Sequence, residues 1–205
     1  KLQHLIGDVN HQGVVLKASG YPYADIADLT GEPEKGRDAP FLLVLDHVQD
    51  PQNLGSLLRS ADAAGVSGVV IPSDRAVNVT PAAVRASAGA AEHVRVAMVN
   101  NISQAMLKLK DAGYWFAGLE ALPEAKPYSE TDLTGSIGIV VGSEGAGLGR
   151  LVRETCDYLI KIPMSGEVSS LNAGVAGALA LFEVRRQRLY GKPGKQSPAR
   201  KESQK

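Results

Sequence analysis

Three polar clusters in this sequence hold the residue types that chemistry would need. The first is Asn53 and Arg59, in Asp50-Pro-Gln-Asn-Leu-Gly-Ser-Leu-Leu-Arg59. At about 100° per residue, Leu54, Leu57, Leu58, Ala61 and Ala64 form one helical stripe, and Asn53, Ser56, Arg59 and Ser60 lie away from it. At the carboxyl edge of a parallel sheet, Asn53 and Arg59 would face the place where open α/β folds bind ligands. The plainer alternative for Arg59 is a solvated helix arginine. The second cluster is Val140-Val-Gly-Ser-Glu-Gly-Ala-Gly-Leu-Gly149. Its glycines would let the backbone approach a ligand closely, and a helix starting there offers free amides. A flexible turn is the bland alternative. The dinucleotide pattern G-x-G-x-x-G fails because Arg150 takes its last position, and the following strand does not end in an acidic residue to grip a ribose. The third cluster is Ile162-Pro-Met-Ser-Gly-Glu-Val-Ser-Ser-Leu-Asn-Ala-Gly174, which opens the final helix. Ser169 or Ser170 is a natural N-cap there, which by itself would explain the serines.

The elements that must position these clusters follow from periodicity. Apolar runs at 41–45, 68–71, 94–99, 114–119, 137–141 and 158–162 read as strands. Helical spacing covers 51–64, 102–112, 148–155 and 171–189, and Pro51 marks a helix start. Unalternating strands such as Leu42-Leu-Val-Leu45 predict an α/β fold, with a mostly parallel sheet covered by helices on both faces. Before residue 40, the runs 13–18 and 20–23 look β-like, and 30–40 is rich in Gly, Pro and charge and reads as a linker. The last helix carries Ala173, Gly174, Ala176, Gly177, Ala178 and Ala180, so something approaches its backbone closely, either a packed helix or a ligand.

Composition sets the outer bounds. A chain of 205 residues with 44% hydrophobic and 21% charged residues can bury one sizeable core. No apolar run reaches the roughly 18–20 residues of a membrane span, so a soluble protein with no membrane partner is expected. Cys156, the one cysteine, cannot pair within the chain, and the start shows no signal-peptide pattern, which predicts the cytoplasm. Cys156 itself reads as a buried thiol. His4, His11, His47 and His93 lack metal-ligand spacing, and no metal is assigned. The net charge is zero, yet from Arg185 onward there are eight Lys/Arg against one Glu, so a basic tail follows an acidic body. From Pro193 on, no large apolar side chain occurs, and disorder is expected.

Together the three clusters resemble the SpoU (TrmH-like) family of RNA ribose 2′-O-methyltransferases, within the SPOUT superfamily. The resemblance rests on Leu45-Asp-His-Val-Gln-Asp-Pro-Gln-Asn-Leu-Gly-Ser-Leu-Leu-Arg-Ser-Ala61, Val141-Gly-Ser-Glu-Gly-Ala-Gly-Leu148 and Ile162-Pro-Met-Ser-Gly-Glu-Val-Ser-Ser-Leu-Asn172, which are similar to the family's three ordered motifs. It spans about residues 41–190. The segment Gly7-Asp-Val-Asn-His-Gln-Gly-Val14 resembles the connector that follows a small N-terminal RNA-binding domain in the ribosomal-RNA guanosine enzymes of the family. The expected organisation is therefore a connector at 1–39 from a domain missing here, a methyltransferase domain at 40–191 and a disordered basic tail at 192–205.

The resemblance further implies a C-terminal trefoil knot, S-adenosyl-L-methionine bound in it, and a homodimer around it. Chain connections are normally unknotted, so physical reading of the sequence would not propose the knot. Carried over by position, Gly142, Ile162 and Leu171 would line the cofactor site. Asn53, Arg59, Glu144, Ser170 and Asn172 would form the catalytic and substrate-positioning set. The implied reaction is 2′-O-methylation of a ribose, a guanosine in large-subunit ribosomal RNA, with transfer RNA as the alternative substrate. The competing functions are a nicotinamide enzyme, which the broken fingerprint argues against, and a non-catalytic RNA-binding module, for which substituted motif residues would be the sign.

Overall fold

The structure is a computed structural model that describes residues 15, 19–30 and 39–191. The expected strand at 13–18, most of the linker, the connector motif at 7–14 and the basic tail from 192 on lie wholly or largely outside the described residues.

The first strand, β1 (Phe41–Asp46), is buried along its whole length. Phe41, Leu43 and Leu45 enter one apolar core with Leu57 and Leu58, whereas Leu42 and Val44 enter a second with Met106 and Leu109. Burial on both faces is why the strand is continuously apolar. It leads into α1 (Pro51–Ala64), whose start is fixed twice over, by Pro51 at its first turn and by the Asp50 carboxylate accepting from the Gln52 and Asn53 amides. Gly65 ends it in the left-handed region at φ 75°. The expected stripe of Leu54, Leu57, Leu58, Ala61 and Ala64 is buried.

The chain continues through β2 (Gly68–Pro72), α2 (Pro81–Ala86), β3 (Val96–Val99), α3 (Ile102–Asp111), β4 (Trp115–Leu119) and β5 (Lys126–Pro127). It ends with β6 (Ile137–Gly142), α4 (Arg150–Thr155), β7 (Tyr158–Lys161) and α5 (Ala173–Tyr190). The seven strands lie in the order β3-β2-β1-β6-β4-β7-β5, and every pairing is parallel. One core is sealed by α1, α2 and α5 and the other by α3 and α4, so both faces are covered. Because all strands run the same way, their carboxyl ends share one edge. In register, Asp46 stands beside Gly142 and Leu119 beside Val141 on that edge.

Two local expectations fail. Residues 20–23 form no strand; Tyr21 and Tyr23 instead spend their hydroxyls on Ala91 O and Val79 N, and only Ala24 makes a bridge, to Ala97. Helix α2 was not anticipated, since Pro81-Ala-Ala-Val-Arg-Ala86 has little apolar periodicity. It forms because Thr80 caps it and because Gly55 of α1 leaves room for it. A Cβ on Gly55 would lie 2.4 Å from Ala86 Cβ and 2.6 Å from Ala83 O. Gly55→Ala should therefore cost about 1–3 kcal/mol of stability as overpacking, read as a lower urea midpoint at unchanged slope.

The small residues of α5 are explained in the same way. A Cβ at Gly177 would lie 2.4 Å from Leu57 Cδ2, so close helix-on-helix packing, not a ligand, demands that glycine. Cys156 is half-buried, its Sγ faces Val152 O at 3.3 Å, and burial pushes its thiol up to about 12, as expected of a structural thiol. No helix among the described residues is long and apolar enough to cross a membrane, and they hold no group of three metal-ligating side chains.

Candidate functional site

The carboxyl edge of the sheet is shaped by a turn that follows β6. Ser143 and Gly147 exchange two backbone hydrogen bonds, of 3.1 and 3.0 Å, while Gly145 and Gly147 take φ of 80° and 67°. The turn folds back so tightly that a Cβ on Gly142 would lie 2.2 Å from Gly147 C. Two carboxylates hold it from neighbouring strands. Glu120, just past β4, accepts from Leu148 N at 2.6 Å, and the fully buried Asp46 at the end of β1 accepts from Gly149 N at 2.7 Å. Sequence reading missed both. An acidic residue directly after an apolar strand run was the available signal.

Between this turn and the segment leading into α5 lies a cavity of about 870 Å³, within the usual range for small-molecule sites. Gly142, Ile162 and Leu171 line it, and so do Glu144, Ser170 and Asn172. Leu119, Glu120 and Lys161 add to its wall without having been anticipated. The Lys161 ammonium donates to Leu122 O and Pro123 O at 3.3 and 3.0 Å, which ties the loop after β4 to β7.

At the cavity's edge three separate motifs meet in one hydrogen-bond cluster. Glu144 Oε1 accepts from Asn53 Nδ2 at 3.0 Å, from Asn172 Nδ2 at 2.6 Å and from the Ala173 amide at 3.3 Å. Asn172 Nδ2 also donates to Asn53 Oδ1 at 2.8 Å. Bonds to an ionised carboxylate are the strong ones, so the cluster fixes the Glu144 rotamer. Glu144 Oε2 takes no hydrogen bond among the described residues, and the residue is exposed and lines the cavity.

Several expected placements change. Asn53 is not on an outer helix face but is buried at 7% exposure, because α5 starts directly over the first turn of α1. Gly174 lies close against this junction: a Cβ there would stand 3.1 Å from Asn172 Oδ1, 3.3 Å from Ser56 Oγ and 3.5 Å from Asn53 Oδ1. The N-cap of α5 is Asn172, whose Oδ1 accepts from Val175 N at 3.2 Å, and neither Ser169 nor Ser170 caps it. Those serines stay exposed, and Ser170 is left to the cavity. Arg59 is exposed, does not line the cavity, and makes no ion pair among the described residues. Of the eight expected site residues, Arg59 alone is not drawn into the cavity and its cluster.

The sequence matches the SpoU rRNA methylase family over residues 40–182. The chain belongs to this family. YacO of Bacillus subtilis (strain 168), named for the TrmH family of tRNA/rRNA methyltransferases, is 46% identical over 178 residues, covering 87% of this chain and 71% of that protein. The crystal structure of the SpoU methyltransferase AviRb from Streptomyces viridochromogenes, in complex with the cofactor AdoMet, superposes with a TM-score of 0.73. It is 30% identical and covers 83% of this chain and 67% of that one. The TrmH/SpoU tRNA-modifying enzyme of A. aeolicus gives a TM-score of 0.67 at 26% identity, covering 83% and 86%. Membership in the SpoU family makes this chain an RNA methyltransferase.

Proposed function

We propose that this SpoU-family chain methylates the 2′-hydroxyl of a guanosine in large-subunit ribosomal RNA. The observation that carries the reading is the union of all three motifs at one cavity, through the single oxygen Glu144 Oε1. The cofactor is S-adenosylmethionine, which the related AviRb structure holds. The wall suits it, with apolar Leu119, Ile162 and Leu171 for a purine ring and the carboxylates of Glu120 and Glu144 for a cationic ligand with hydroxyl groups. When bound, it supplies a sulfonium methyl group that a ribose oxygen can displace in line.

The chain's own residues do the rest by positioning. Asn53 and Asn172 hold Glu144 at the mouth of the cavity, and Ser170 offers a hydroxyl to the incoming nucleotide. Arg59 clamps a phosphate and polarises the ribose hydroxyl; a guanidinium is a donor only and does not serve as a proton acceptor. Its absence from the cavity of its own subunit fits service in a second copy's site. A homodimer is further supported by Val175, Leu179, Phe182 and Leu189, which lie 40–57% exposed along one side of α5. The connector, catalytic domain and basic tail, the trefoil knot and a cytoplasmic location complete this reading.

The test supplies methyl-labelled S-adenosylmethionine with a large-subunit ribosomal RNA transcript or bulk transfer RNA, followed by nuclease digestion. Label in 2′-O-methylguanosine from the ribosomal transcript alone supports the reading. Label from transfer RNA alone replaces the substrate, a result for which the tRNA-modifying relative is the precedent. Label in a base, with none in ribose, overturns the reaction.

A further inference from the structure

Outside the cavity, the same sheet edge carries two residues whose backbone pays a conformational cost. His47 and Arg75 have φ of 60° and 55°, in the left-handed region that non-glycine residues seldom enter. They sit on adjacent loops: His47 follows β1 and Arg75 follows β2, strands that pair directly, and Val77 N donates to Val48 O at 2.9 Å.

His47 is also oriented. Its Nδ1 meets Asp46 Oδ1, and Asp46 is fully buried with its other oxygen on Gly149 N. A carboxylate on Nδ1 holds a proton there and leaves Nε2 as the free ring nitrogen. The imidazole is 43% exposed, so this is a fixed polar tip presented to solvent. Arg75 is exposed and has no ion-pair partner among the described residues. Its neighbour Asp74 is exposed as well, so this loop offers a guanidinium fork more than a positive field.

We propose that His47 and Arg75 form a subsite for the ribose-phosphate backbone of the RNA strand flanking the target nucleotide. The inference rests on the RNA methyltransferase reading of the cavity. The strand would leave the Asn53–Glu144–Asn172 cluster and run across the ends of β1 and β2, where Arg75 takes a phosphate in its fork and a neighbouring 2′-hydroxyl donates to His47 Nε2. Strain on two adjacent loops is what a site held ready for a ligand would show. Both contacts address the backbone, so they would position the strand and add affinity without reading bases.

The test compares wild type with His47→Asn and Arg75→Asn, since asparagine tolerates positive φ, and with Arg75→Lys, which keeps the charge. Binding of a large-subunit ribosomal RNA transcript is titrated directly across salt concentrations, with methyl transfer and S-adenosylmethionine affinity measured in parallel. Arg75→Asn should weaken RNA binding about tenfold, the worth of one hydrogen bond to a charged group, and His47→Asn about threefold, the worth of a neutral one, and each should raise KM at unchanged kcat and cofactor affinity. Arg75→Asn should lower the salt slope of log K by about one, and Arg75→Lys should retain it. RNA affinity and salt slope equal to wild type in both asparagine variants would overturn the subsite. Wild type that binds the RNA without methylating it would count against the functional reading, while the same titrations still decide the subsite.

Discussion

Arg59→Ala should lower methyl transfer by at least about two orders of magnitude, the usual worth of a group that assists proton movement at the reacting oxygen, and leave S-adenosylmethionine affinity unchanged. The two halves of that result come from different observations. The motif places Arg59 with Asn53 on α1, but the guanidinium is exposed and stands outside the cavity that Gly142, Ile162 and Leu171 line. Nothing in its position lets it hold the cofactor of its own subunit. Radiolabelled turnover and calorimetry on the same protein separate the two. Mixing Arg59→Ala subunits with Glu144→Ala subunits sharpens the experiment. If the arginine serves the second copy, a mixed dimer has one site with an intact Glu144 and an intact Arg59, and turnover returns. If the arginine serves its own chain, both sites of the mixed dimer stay defective. Unchanged turnover in Arg59→Ala would remove the residue from the mechanism altogether.

What the sequence disclosed and what it hid divide along the range of the interactions involved. The stripe Leu54, Leu57, Leu58, Ala61 and Ala64 was legible because helix periodicity is local, and β1 was legible because burial on both faces leaves an unbroken apolar run. The order of strands was not legible, since placing β6 between β1 and β4 depends on pairings nearly a hundred residues apart. Asn53 illustrates the same limit within the site. Its helix angle marks it as an outer residue, and only the arrival of α5 and Glu144 makes it an inner one. Glu120 and Asp46 stayed hidden because their partners are backbone amides of Leu148 and Gly149, donors that no side-chain pattern reports. The three motifs identified which residues belong together. Which oxygen joins them, and which serine is not a cap, came from geometry.

Gly142→Ala is the second large effect, and the structure changes what it measures. Resemblance made Gly142 a lining residue, so a larger side chain there would have been read as a plug in the cofactor cavity. The added Cβ would instead stand 2.2 Å from Gly147 C, 2.3 Å from Gly147 O and 2.6 Å from Leu148 N. These are backbone atoms, so no rotamer change relieves the clash and the turn itself must move. Leu148 N would then draw away from Glu120, and Glu144, two residues along from the substitution, would shift against Asn53 and Asn172. Misplacement of about 1 Å at a positioned site can cost about a hundredfold, and cofactor affinity and turnover should both fall on that scale. Overpacking should also take about 1–3 kcal/mol from stability, visible as a lower denaturation midpoint. Gly135→Ala is the control, because that glycine has open space around its Cβ position and lies away from the cavity. A Gly142→Ala protein that keeps wild-type stability but loses cofactor binding would mean the turn adapts and the methyl group merely blocks the cavity. Loss of both together would show that the fold of the turn and the shape of the site are one property of the chain.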